Sequence, residues 1–191
     1  MMDKNQVKDL NHLKDLELQR SKDLLDYWLS YSNITTWQFW ICLVLLILPL
    51  ILLLLFLNKR KALLLGFYGY NVHVFFTYTD VLGSDRAYWS YPYKVMPILP
   101  SSFSLDVSFV PVAYMFFYQW ILKTNRNYYL YMVILCALFA FVIKPIFVFV
   151  NLFQFDRGAN YFHLFIGYIF VGLISKWITN LFVYMEKKGK E

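Results

Sequence analysis

Four ionisable side chains stand where long apolar runs begin or end: Asp80, Asp106, Lys144 and His163. A charged group in a membrane helix is costly and normally faces a partner or water. Gathered at one depth, these four could form an ion-pair network or line a path for a proton or small solute. Lys144 lies six residues before Val150, hence about 9 Å inside the end of its run at 1.5 Å per residue. It can pair with Asp106 or Asp80, snorkel to the surface, or act directly on a proton or substrate. His73 and Thr77 share the helical face of Asp80. His73 lies deeper, as an imidazole bonded to Asn71, Thr77 or a neighbouring helix, or as a proton relay. Asp80 and Asp106 could share a proton as paired carboxylates, but their places at helix ends favour ion pairing or capping. Ser104 or Asp106 is the expected N-cap of the run that follows.

These residues need helices to hold them. The chain has 191 residues, 60% of them hydrophobic and 16% charged, against about 25% charged in a soluble domain. The apolar residues come in blocks, and Trp37 to Leu57 is 21 residues without a charge. About 20 such residues cross the hydrocarbon core. The expected class is all-α: a polytopic membrane bundle with spans at 37–57, 61–82, 105–122, 128–150 and 161–184. A charged arm at 1–36, helical and amphipathic over 3–31, precedes it, and a basic tail at 186–191 follows. The first span is leucine on every face, with Pro49 expected to kink it. The second carries Gly66, Gly69, His73, Thr77 and Asp80 on one side, a pattern of small and polar residues that favours the bundle interior. Pro145 is expected to free the carbonyl of Phe141.

Charge fixes an expected orientation. With the C-terminus in the cytoplasm, Lys59, Arg60, Lys61, Lys123, Arg126, Lys187, Lys188 and Lys190 fall inside, and Arg86, Lys94 and Arg157 outside. The N-terminal arm, with five Lys/Arg and six Asp/Glu, then lies outside. So does the segment "WSYPYKVMPILPSSFSLD". In it Trp89, Tyr91, Pro92, Tyr93, Lys94, Pro97 and Pro100 read as an interfacial loop: aromatic residues at head-group level, Lys94 at the outer surface, prolines holding extended backbone. The loop would cover the polar cluster as a lid.

Other chemistries find little support. Cys42 and Cys136 lie inside apolar runs, without metal-ligand spacing. His73 and His163 differ in expected depth, which disfavours haem, and no cofactor is expected. Gly-x-Ser-x-Gly, His-Glu-x-x-His and phosphate-loop patterns are absent, so no catalytic residue is assigned. The net charge of +6 is spread in short clusters beside the spans and meets lipid head groups rather than nucleic acid.

The stretches "NKRKALLLGFYGY", "TDVLGSDRAYWSYPYKVMPILP", "LDVSFVPVAYMFFYQW" and "FAFVIKPIFVF" resemble an uncharacterised family of small multi-pass membrane proteins of endospore-forming bacteria. The likeness runs from about Trp28 to Trp177. Its most specific elements are Leu82-Gly83-Ser84, Tyr91 to Lys94 with Pro97 and Pro100, Asp106, Pro111, Tyr114-Met115 and Tyr118-Gln119. An acid usually stands where this chain has Lys144. The resemblance implies a bacterial inner membrane, in a sporulating cell or spore, and no activity. The expected function is structural or partner-binding, with lipid, a second copy or another membrane protein as partner. The alternative is permeation of a small solute or proton.

Overall fold

The computed structural model describes residues 2–97, 99 and 101–190. Six helices make up nearly all of it. A charged helix α1 (Lys4–Tyr27) widens into a π-helical turn at Trp28–Ser32. Then come α2 (Trp37–Phe56), α3 (Ala62–Asp85), α4 (Leu105–Thr124), α5 (Tyr128–Phe149) and α6 (Tyr161–Lys188). Asparagines start two of them. Asn127 accepts from the amides of Tyr129 and Leu130, and Asn160 from those of Phe162 and His163, satisfying donors that the first helical turn leaves free.

Four helices, α2, α4, α5 and α6, are long and apolar enough to cross a membrane. With 24 residues, α3 has the length, but Asn71, His73, Thr77, Thr79 and Asp80 dilute its apolar content. It compensates by burial, packing on α4 and α6. Contact there is close. A Cβ on Gly69 would collide with the Met115 side chain, and one on Gly172 with Met132, so small residues set the helix separations. α2 lies outermost, most of its leucines exposed, and runs through Pro49 as one helix. α1 contributes no buried residue.

Two helices share a local device. In α4 the turn Leu105–Phe109 is π-helical, and the Val110 amide reaches back five residues to the Leu105 carbonyl. In α5 the same happens over Phe139–Ile143, with Lys144 N–H bonded to the Phe139 carbonyl. Each wide turn ends two residues before a proline, Pro111 or Pro145. A proline ring crowds the carbonyl four residues back and offers no N–H, and a widened turn gives that ring room.

A second shared device closes one end of the bundle. The Tyr88 amide bonds to the Gly83 carbonyl and that of Ala87 to Ser84, with Ala87 left-handed at φ 52°. At the end of α5, Leu152 bonds to Phe147 and Asn151 to Val148, with Asn151 at φ 60°. Both are Schellman endings. Each feeds a two-residue strand, β1 (Trp89–Ser90) and β2 (Gln154–Phe155), which pair antiparallel with Trp89 opposite Phe155. The loop 86–104 is therefore tied to the loop between α5 and α6.

Candidate functional site

Asp80 lies near the end of α3, 4% exposed. Its Oδ1 accepts from Trp89 Nε1 at 2.8 Å and from the Tyr91 hydroxyl at 2.7 Å. Its Oδ2 takes a longer bond, 3.4 Å, from the Ser102 amide. All three donors come from the loop 86–104. That loop therefore folds down onto Asp80. Tyr91 is buried and Trp89 half-buried, because the Asp80 carboxylate, itself shut off from water, needs donors. Gly83 makes this geometry possible, since a Cβ there would collide with the Trp89 ring.

Lys144 is buried at 3% exposure, and the snorkelling expectation is overturned. It makes no direct ion pair among the described residues. Its Nζ donates to the Tyr91 hydroxyl at 3.3 Å and sits 3.7 Å from the centroid of the Phe153 ring, a cation–π contact. Tyr91 thus relays between cation and anion, giving to Asp80 and receiving from Lys144. Burial, and then Asp80, hold the Tyr91 hydroxyl well above its ordinary range, so it remains a donor.

Asp106 is 1% exposed, and its two carboxyl oxygens find no hydrogen-bond donor among the described residues. Neither it nor Ser104 caps α4 by its side chain. The helix entry is instead served by the Ser102 carbonyl, which accepts from the amides of Leu105 and Asp106. The widened turn displaces the expected cap and turns Asp106 inward, within interaction range of Asp80, Ser101 and Lys144.

His73 gains a definite role from the same turn. Val110 bonds to Leu105 rather than Asp106, and Pro111, next in register, has no N–H. The Asp106 carbonyl left over lies 2.7 Å from His73 Nδ1. A carbonyl only accepts, so the hydrogen is on Nδ1. Thr77 Oγ1 lies 3.3 Å from the same nitrogen.

His163 separates from the group. Its side chain is exposed, and it only borders a crevice of about 40 Å³ whose walls include Asp80, Trp89, Lys144 and Tyr168. Lys94, expected at the outer surface, is half-buried, with Nζ donating to the Leu99 carbonyl at 2.8 Å. Burial pulls its amine down to about 8, against the opposing pull of Asp80 and Asp106. Its amide donates to Ser32 and its carbonyl receives Trp28 Nε1. With the Arg20–Asp85 pair at 2.8 Å, these bonds dock α1 on the loop. A cleft of about 340 Å³ lies between them, walled by Trp28, Trp89 and Pro92 among others. Pro92, Tyr93 and Pro97 are half-buried. Pro100 lies outside the described residues.

Sequence reasoning passed over a second polar level. Lys176, mid-way along α6, donates to the Tyr118 hydroxyl at 2.7 Å. The Tyr68 and Tyr128 hydroxyls meet at 2.8 Å, with Tyr128 donating on to the Gly172 carbonyl. Tyr114 donates to the Tyr168 carbonyl at 3.0 Å. Lys176 was visible as a lone charge in an apolar run. The tyrosines gave no signal, being spread over three helices. Comparison of the chain with protein-family models, curated proteins and solved structures finds no match.

Proposed function

We propose that this chain is a non-enzymatic, structural or partner-binding protein of the bacterial inner membrane, crossing it five times with α3 as the fifth span. The loop side faces outward, carrying the arm α1 as an amphipathic element at the surface. One observation carries the reading: Asp80 takes all three of its donors from the loop 86–104, while Lys144 and Phe153 close on it from the other half of the chain. Such a clasp locks two helical hairpins together and presents a fixed outer surface, built of loop and arm, to lipid, a second copy or another membrane protein. The basic clusters on the opposite side support the orientation.

A second reading, permeation of a proton or small solute, draws on the crevice that reaches Asp80 and Lys144 beside His163. Reconstitution decides between them. Under the clasp reading Asp80→Asn lowers the unfolding midpoint of the purified protein, and wild-type proteoliposomes dissipate a pH gradient no faster than protein-free vesicles. A protein-dependent flux that Asp80→Asn abolishes without loss of fold refutes the clasp reading and establishes the second.

A further inference from the structure

Two buried carboxyls, Asp80 and Asp106, share the clasp with one buried lysine, Lys144, and one half-buried lysine, Lys94, that both acids act on. Two carboxylates facing each other in so apolar a place are strongly disfavoured. The donors are also unevenly divided. Asp80 receives three, Trp89, Tyr91 and the Ser102 amide, and Asp106 receives none. Backbone brings the two acids together, because Ser102 donates its amide to Asp80 while its carbonyl accepts the Asp106 amide. The Ser101 hydroxyl, fully buried and also without a partner, lies beside them. Two ionised carboxylates offer each other only acceptors. A contact between them becomes a hydrogen bond once one proton is present.

We infer that Asp80 and Asp106 form a single-proton binding site, in which the Asp106 O–H donates to the Asp80 carboxylate. Asp80 keeps the charge because its three donors favour the anion, and Asp106 takes the proton because the Ser101 hydroxyl is the one hydroxyl beside it and makes no well-formed bond. The groups that face the pair are Tyr91 and Lys94 from the loop, Lys144 from α5 and Tyr168 from α6, with His73 of α3 on the Asp106 carbonyl, while α2, packed on the π turn, brings no charged side chain. His163 borders the crevice that reaches the Asp80 side of the pair. This deepens the clasp reading and rests on it. Release of the proton places two facing anions under the loop, and their repulsion opens the clasp.

The test is infrared spectroscopy of the purified protein at neutral pH. Asp80 and Asp106 are the only buried acids among the described residues. The expected spectrum shows the carbonyl stretch of one protonated carboxylic acid per chain, downshifted in heavy water and lost in Asp106→Asn. That variant keeps a donor facing Asp80 and retains the wild-type unfolding midpoint, whereas Asp80→Asn lowers it. If Asp106→Asn does not fold, the wild-type band and its deuterium shift still decide. Absence of the band in the folded wild type, its survival in Asp106→Asn, or an unfolding midpoint set by sodium rather than proton concentration would each overturn the inference. A missing band together with a destabilising Asp80→Asn leaves the clasp standing and removes only the proton.

Discussion

Replacing Gly83 by alanine tests the contact on which the clasp is seated. In a helix interior alanine is ordinarily worth about 0.5–1 kcal/mol over glycine, so the naive expectation is a gain. Here the new Cβ falls far inside van der Waals contact with the Trp89 indole. Forcing extra volume into a packed site costs about 1–3 kcal/mol. Displacing the ring also breaks its bond to Asp80, made at 2.8 Å, and a hydrogen bond to a charged group contributes about 1.5–3 kcal/mol. Net of propensity, Gly83→Ala should lose about 2–5 kcal/mol by these figures. Gly66 in the same helix is the control. A Cβ there meets nothing within 4 Å, and Gly66→Ala should gain about 0.5–1 kcal/mol. Denaturant unfolding of the two variants in detergent, followed by circular dichroism, measures both. Tryptophan fluorescence should shift in Gly83→Ala alone. If the two variants agree within about 0.5 kcal/mol, the spread of an ordinary surface change, Trp89 is not seated on Gly83 and the reasoning fails.

Three further outcomes follow from the same geometry. Lys144→Met removes the cation facing a buried anion and should cost about 3–5 kcal/mol, with Asp80→Asn in the double variant recovering part of it; purely additive losses would show that the two do not interact. Ala87→Gly, at a left-handed position with φ 52°, should stabilise by about 0.5–1 kcal/mol, visible as a higher thermal midpoint. Lys94 keeps its proton to about 10.5 when unfolded but only to about 8 when folded. Between those values the unfolded chain binds more protons, so this group's contribution to stability rises with pH. Subtracting the Lys94→Gln profile from that of the wild type should expose this rise, and parallel profiles would contradict it.

Four of the helices were legible because helices apolar enough to cross a membrane write themselves as long apolar runs, and the helix ends differ from expectation by only a few residues. The meeting of Asp80, Asp106 and Lys144 was legible too, since span parity places their helix ends together. What the aromatic loop does was not. Trp89 and Tyr91 look like head-group residues to any rule that scores residue type and depth, and only the third dimension shows Asp80 waiting beneath them. The wide turns were equally hidden. Pro111 and Pro145 announced an irregularity, but not that His73 would accommodate the one in α4 by taking the Asp106 carbonyl. Local rules described each residue correctly as a chemical group and misjudged its neighbours.

The pairing of β1 with β2 has a consequence for the order in which this protein can be made. Asp80, Trp89 and Tyr91 belong to the first hairpin, α3 with α4, whereas Lys144, Phe153 and β2 belong to the second. A chain emerging from the ribosome therefore exposes its buried acid more than sixty residues before the matching cation exists. During that interval Asp80 has its loop donors but not Lys144. The strand pair cannot form until α5 and the turn after it have been made, and α6, whose Tyr168 walls the crevice beside Asp80, comes later still. A second hairpin that arrives late leaves the Asp80 carboxylate without the Lys144 and Phe153 side of its clasp.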